Sequence, residues 1–78
     1  MIRKTEKLVI TFYTTTEAMA MERICKEQGA AGRLIPVPRQ ISAGCGLAWC
    51  ADLGCEPSLT ELMQKHGVTP QGIHRCLV

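Results

Sequence analysis

The sequence predicts an α+β domain: a four-stranded antiparallel sheet with two helices packed on one face. Three observations carry that expectation. Four short apolar runs have strand character, two longer runs have helical periodicity, and their order is strand, helix, strand, strand, helix, strand. Each helical run opens on a hydroxyl residue with glutamate three positions later. Each closes on a glycine.

The first strand is read over residues 7–13, "KLVITFY", where Leu8, Ile10 and Phe12 fall on one face. Thr14 and Glu17 then have capping-box spacing, because the threonine oxygen can accept a backbone N–H of the first turn. Ala18, Met21 and Cys25 share one side of the helix that follows, with Ile24 beside them, and Gly29 ends it. Residues 32–39, "GRLIPVPR", read as a second strand. Pro36 and Pro38 cannot donate to a ladder, so this strand is expected at a sheet edge. "LAWCA", residues 47–51, is a short third strand. In "CEPSLTELMQKHG", Ser58 and Glu61 repeat the capping spacing. Leu59, Leu62 and Met63 form the apolar side, and Gly67 is the stop. "GIHRCLV" closes the chain as a fourth strand, with Ile73, Arg75 and Leu77 on one face and His74, Cys76 and Val78 on the other.

Two successive strand–helix–strand halves of this kind make the split βαβ, or ferredoxin-like, arrangement with strand order 4-1-3-2. That order puts the second strand at an edge, as its prolines require. Both helices then cover one face, and the other face is expected to be open to a partner or a dimer mate.

With 78 residues the chain reads as one domain, preceded by a short polar leader at residues 1–6. A domain of this size buries only roughly 60–65% of the surface its unfolded chain exposes, so a deep substrate cleft would need a second subunit. The formal net charge is +2, and the basic residues form no stripe interleaved with aromatics, which argues against nucleic acid as a partner. No apolar run is long enough to span a bilayer or act as a signal peptide, so a cytoplasmic protein without a membrane role is expected. Five cysteines, an odd number without a secretory signal, argue against a disulfide framework and for free thiols.

"PRQISAGCGLAWC", residues 38–50, holds the most suggestive chemistry. Gly44 and Gly46 let the backbone bend sharply around Cys45 and approach another molecule closely. Consecutive backbone N–H groups in such a bend form a concavity that suits an anion, and a thiolate is an anion. Arg39 adds positive charge nearby, and Ser42 adds a hydrogen-bond donor; both would favour the reactive thiolate. The same residue types also suit a plain hairpin turn, with a small cysteine between two bends. Residue types alone leave both readings standing.

The remaining cysteines read as structural. Cys25 lies on the apolar side of the first helix, and Cys76 lies in the last strand. Cys45, Cys50 and Cys55 are evenly spaced, but five residues of strand cover about 16 Å and an odd offset points to opposite faces. Zinc cysteines usually stand two to four residues apart, so no metal is expected. Cys55 could resolve an oxidised Cys45 only if the chain folds back at Gly54. His66 falls at a helix end, where the dipole favours an imidazolium, and His74 falls in a strand. Met19 and Met21 read as ordinary helix residues, and Trp49 as packing.

Residues 33–48, "RLIPVPRQISAGCGLA", resemble the signature of a small bacterial family described as putative selenium/sulfur carrier-like proteins. The carrying residues are Pro36, Pro38, Arg39, Ile41, Ser42, Cys45 and Gly46, and the likeness runs from "LVITFYTTTEAM" to "GIHRCLV". Gln40 stands where an acidic residue is more usual, and Cys50 and Cys55 are not part of the pattern. The resemblance implies a carrier, not a turnover enzyme, whose Cys45 holds sulfur or selenium as a persulfide or selenyl sulfide. It implies no resident cofactor. It implies a donor such as a cysteine desulfurase and an acceptor protein, and a homodimer through the open sheet face or the edge strand is a further expectation. The competing readings are a ferredoxin-like interaction or regulatory module, a thiol redox protein and a metal chaperone. Metal chaperones of this fold place paired cysteines in the first strand-to-helix loop, which here is "YTTTE".

Overall fold

The computed structural model of the chain describes residues 5–41 and 46–77. Strand β1 (Glu6–Thr11) leads to helix α1 (Thr15–Gln28), then to strands β2 (Arg33–Pro36) and β3 (Leu47–Ala51). A single 3₁₀ turn (Leu53–Cys55) enters helix α2 (Glu56–His66), and strand β4 (Gly72–Leu77) follows. The sheet order is β2-β3-β1-β4 with every neighbouring pair antiparallel. This is the expected split βαβ topology, with the proline-bearing β2 at one edge.

Local chemistry explains most element boundaries. The Thr14 side chain accepts a hydrogen bond from the Glu17 backbone N–H at 3.2 Å, satisfying one of the four unpaired donors at the start of α1. The Thr14 hydroxyl also lies 3.2 Å from Glu17 Oε1, so the glutamate closes on the hydroxyl. Gly29 and Gly67 take the left-handed conformation at the two helix ends, and their N–H groups return to the last-turn carbonyls. The start of α2 departs from the sequence expectation. Ser58 and Glu61 do not form a cap, because the helix begins two residues earlier, at Glu56. Pro57 is accommodated in the first turn, where a missing N–H costs nothing, and the 3₁₀ turn feeds the helix directly.

Register separates the residues of the sheet cleanly. Leu8, Ile10, Trp49, Ala51 and Leu34 face the helices, and so do Ile73, Arg75 and Leu77 of β4. The main core forms there: Leu8, Ile10, Phe12, Trp49 and Ala51 pack with Ala18, Met21 and Cys25 of α1 and with Leu59 and Met63 of α2. The Trp49 indole N–H donates to the Ala31 carbonyl at 3.2 Å, so the one polar atom of this buried ring is satisfied. The expected packing role of Trp49 is what the structure shows.

The opposite face is not bare, contrary to the expectation of a fully open sheet. Val9 and Ala48 are completely buried on it, beside Cys76. Ile35 of β2, with Val37 and Ile41 just beyond it, packs against these three residues. The segment after β2 therefore folds back over the sheet. Among the described residues, no helix is long and apolar enough to cross a membrane.

Gly32, at the entry to β2, is fixed by close packing. Its φ is +122°, and a Cβ there would stand 2.4 Å from Trp49 Nε1 and 2.8 Å from the Cys50 carbonyl oxygen. Gly32→Ala should lower stability by about 3 kcal/mol, combining steric overlap with backbone strain. Gly54→Ala, which meets open space at an ordinary φ, should change it by no more than about 0.5 kcal/mol. Urea unfolding midpoints of the two variants measure the contrast.

Candidate functional site: the loop between β2 and β3

The loop that the sequence singles out is tied down at its base. Beyond the Pro36–Leu47 pair that ends the β2–β3 ladder, the Val37 N–H donates to the Gly46 carbonyl at 3.0 Å and extends it by one rung. Pro36 and Pro38, which flank Val37, have no N–H to offer, so Val37 is the donor the chain can use here. The Ile41 N–H then donates to the Pro38 carbonyl at 3.0 Å, closing a tight turn with Arg39 and Gln40 at its corners.

This turn lies over the helix-free face. Val37 and Ile41 rest on Val9, Ala48 and Cys76, and the Gln40 side-chain amide donates to the Leu77 carbonyl at 3.4 Å. Leu77 belongs to β4, at the far edge of the sheet from β2, so the loop reaches across the whole sheet. Gln40 supplies the donor for that contact. Arg39 is exposed and makes no ion pair among the described residues. Gly46 has φ +77° with open space where a Cβ would sit, so its glycine answers to backbone conformation and not to crowding. Ser42, Gly44 and Cys45 lie outside the described residues. Of the five residues assigned to the site, the structure describes Arg39 and Gly46, at opposite ends of the loop.

The other four thiols divide between the two faces of the sheet. Cys25 is buried in the helix-side core, and burial pushes its thiol up to about 11. Cys55 packs against the edge of the same core. Cys50 and Cys76 lie on the face crossed by the loop, both nearly buried. The Cys76 thiol is raised above its ordinary value by burial first, with smaller contributions from Cys50 and Glu6. Cys50 and Cys55 thus stand on opposite sides of the sheet. His66 is the last residue of α2, and His74 is on the loop side of β4.

Sequence reading missed the base of the loop and its seat. The sequence reads residues 32–39 as one strand, but β2 ends at Pro36; Val37 adds a single rung and turns with Ile41 onto the sheet face. Their place could have been sought only by asking what covers Val9.

Residues 7–75 match the family model described as Putative Se/S carrier protein-like, and that stretch includes the whole of the loop. No curated protein and no solved structure matches the chain.

Two measurements check the site's framework. Gly46→Ala should cost about 1–2 kcal/mol of stability, the penalty of a left-handed alanine, and Gly46→Asn should cost less. Separately, the native state keeps the Cys25 proton between pH 9.0, its ordinary value, and about 11, while the unfolded chain releases it. The Cys25 contribution to stability is therefore complete below pH 9.0 and is lost as pH rises towards 11. Denaturation midpoints across that window should fall less steeply in Cys25→Ala.

Proposed function

The chain belongs to the putative Se/S carrier protein-like family, and from that premise we propose that it carries sulfur or selenium on Cys45 and relays it between partner proteins. The observation that carries this reading is the family match across the loop, together with the way the base of the loop is built. Cys45 is joined directly to Gly46, whose carbonyl is held by Val37. The exposed Arg39, which makes no ion pair among the described residues, stands at the loop's other turn. The buried positions of Cys25, Cys50 and Cys76 favour the same choice of thiol, since carriers must be reached by other proteins.

The chemistry is ordinary displacement at sulfur. The Cys45 thiolate attacks the terminal chalcogen of a donor persulfide, forming a new bond to it. The donor's S–S or S–Se bond breaks, and its electron pair leaves with the donor thiolate. The chalcogen on Cys45 then carries the negative charge or the proton. An acceptor nucleophile attacks that atom in turn and restores the Cys45 thiolate, so the carrier undergoes no net oxidation. Arg39 stabilises the anionic loaded form, and the backbone N–H groups around Gly44 and Gly46 are assigned the same role. The donor is of cysteine desulfurase type. The exposed β2 edge is the proposed docking strand and homodimer edge, because its prolines block indefinite strand addition while leaving room for one partner.

Incubation with a cysteine desulfurase and cysteine or selenocysteine, followed by mass spectrometry of proteolytic fragments, tests the assignment. The added atom is expected on the peptide containing Cys45 and should vanish in Cys45→Ser. Label on Cys25 or Cys76 would refute the site. Arg39→Gln should slow loading by about threefold, in line with one exposed charge.

A further inference from the structure

A second thiol has a built environment of its own. A cavity of about 300 Å³ opens at the end of the sheet where β1 begins, lined by Lys7, Gly32, Arg33, Cys50 and Asp52 among others. Lys7, Cys50 and Arg33 come from three adjacent strands and share the helix-free face. Arg33 is directly opposite Cys50 in the β2–β3 register. Lys7 is two residues from Val9, the β1 partner of Cys50. Cys50 therefore has a cationic residue on each neighbouring strand of its own face. Its side chain is nine-tenths buried, is a free thiol, and has no hydrogen-bond partner among the described residues.

The charges around the cavity are not equivalent. Lys7 is paired with Asp52, while Arg33 makes no ion pair among the described residues. The rim thus carries one uncompensated positive charge, on Arg33. The Lys7 ammonium is held above its ordinary value by the hydrogen bond and charge of Asp52 against desolvation, with Cys50 adding a smaller part and Arg33 opposing by less still. Asp52, Cys50 and Arg33 thus all lie close enough to act on Lys7.

We propose that this cavity is a thiolation site, at which a small carboxylate-bearing disulfide binds through Arg33 and exchanges with Cys50. The Cys50 thiol gives up its proton to solvent, and its sulfur attacks one sulfur of the disulfide. The disulfide bond breaks and the other half leaves as a thiolate. The product is a mixed disulfide on Cys50, and the incoming disulfide is the oxidant. The Arg33 cation on the rim of the same cavity holds the carboxylate close to Cys50, which favours an anionic reagent over a neutral one of similar size. The site lies outside the loop of Cys45 and does not depend on the carrier reading.

The test uses the Cys45→Ser chain, so that failure of chalcogen loading on Cys45 cannot affect it. Dithiobis(nitrobenzoate), which carries two carboxylates, is compared with the neutral dithiodipyridine, each below stoichiometric amounts. The released thiolate gives the rate, and peptide mapping gives the position. The adduct is expected on Cys50, with the anionic reagent preferred. Arg33→Gln should lower that preference about threefold, and Asp52→Asn, which releases Lys7, should raise it about threefold. Circular dichroism establishes that each variant is folded, and the unsubstituted chain, mapped in the same way, serves if Cys45→Ser is not. An adduct mainly on Cys55, a Cys50 that reacts only in denaturant, or a preference unmoved by both charge variants would overturn the proposal.

Discussion

The central strand β1 is buried on both of its faces, and the rest of the molecule is arranged around that fact. Every residue from Leu8 to Phe12 is buried, so Leu8, Ile10 and Phe12 need a cover on one side and Val9 needs one on the other. Two helices on one side of a four-stranded sheet supply only the first. The second comes from the β2–β3 loop, through Val37 and Ile41. Burying a valine side chain is worth roughly 1.5–2 kcal/mol, against about 1 kcal/mol net for a single hydrogen bond such as the one from Val37 to Gly46. The loop is thus held to the sheet more by the apolar surface it covers than by the hydrogen bonds at its base.

That cover gives the loop two duties at once. It shields Val9 and Ala48, and it carries the sequence "SAGC" between two fixed points, Ile41 and Gly46. A reactive group borne between anchored positions has less conformational freedom to lose when it engages a partner than one on a free tether. Under the proposed carrier role this matters, because a carrier would meet a donor and an acceptor in turn and lose ordering entropy at each encounter. The glycine at position 46 belongs to the same economy: it lets the chain turn into β3 at a positive φ without strain.

Much of this was legible in the sequence, and what was not has identifiable causes. Period-two runs, the Thr14–Glu17 spacing and the two closing glycines announce the elements, and Pro36 announces the edge. The Ser58–Glu61 pair misleads because the same spacing arises inside a helix, and Pro57 is as compatible with a first turn as with the residue before it. Reading "KLVITFY" as alternation brings out Leu8, Ile10 and Phe12 but passes over Val9. An unbroken apolar run is the signature of a strand covered on both faces, and it hinted that something other than a helix must lie on the second. The cluster of Lys7, Arg33 and Cys50 could not be seen, since its members are 17 to 43 positions apart and meet only through strand register.

The sheet itself sorts the thiols by what they can reach. Exchange at sulfur needs the two sulfurs in contact, and a β-sheet is a continuous hydrogen-bonded layer that side chains on opposite faces cannot cross. Cys25 and Cys55 belong to the helix side, whereas Cys50 and Cys76 lie on the side over which Ile41 folds. Cys76 belongs to the buried cluster against which Val37 and Ile41 pack, and burial is the largest cause that raises its thiol. Cys50 borders a cavity rimmed by Arg33. The fold thus sets Cys25 and Cys55 behind the sheet, and of the two similarly buried thiols on its other side Cys50 is the one that lines the cavity rimmed by Arg33.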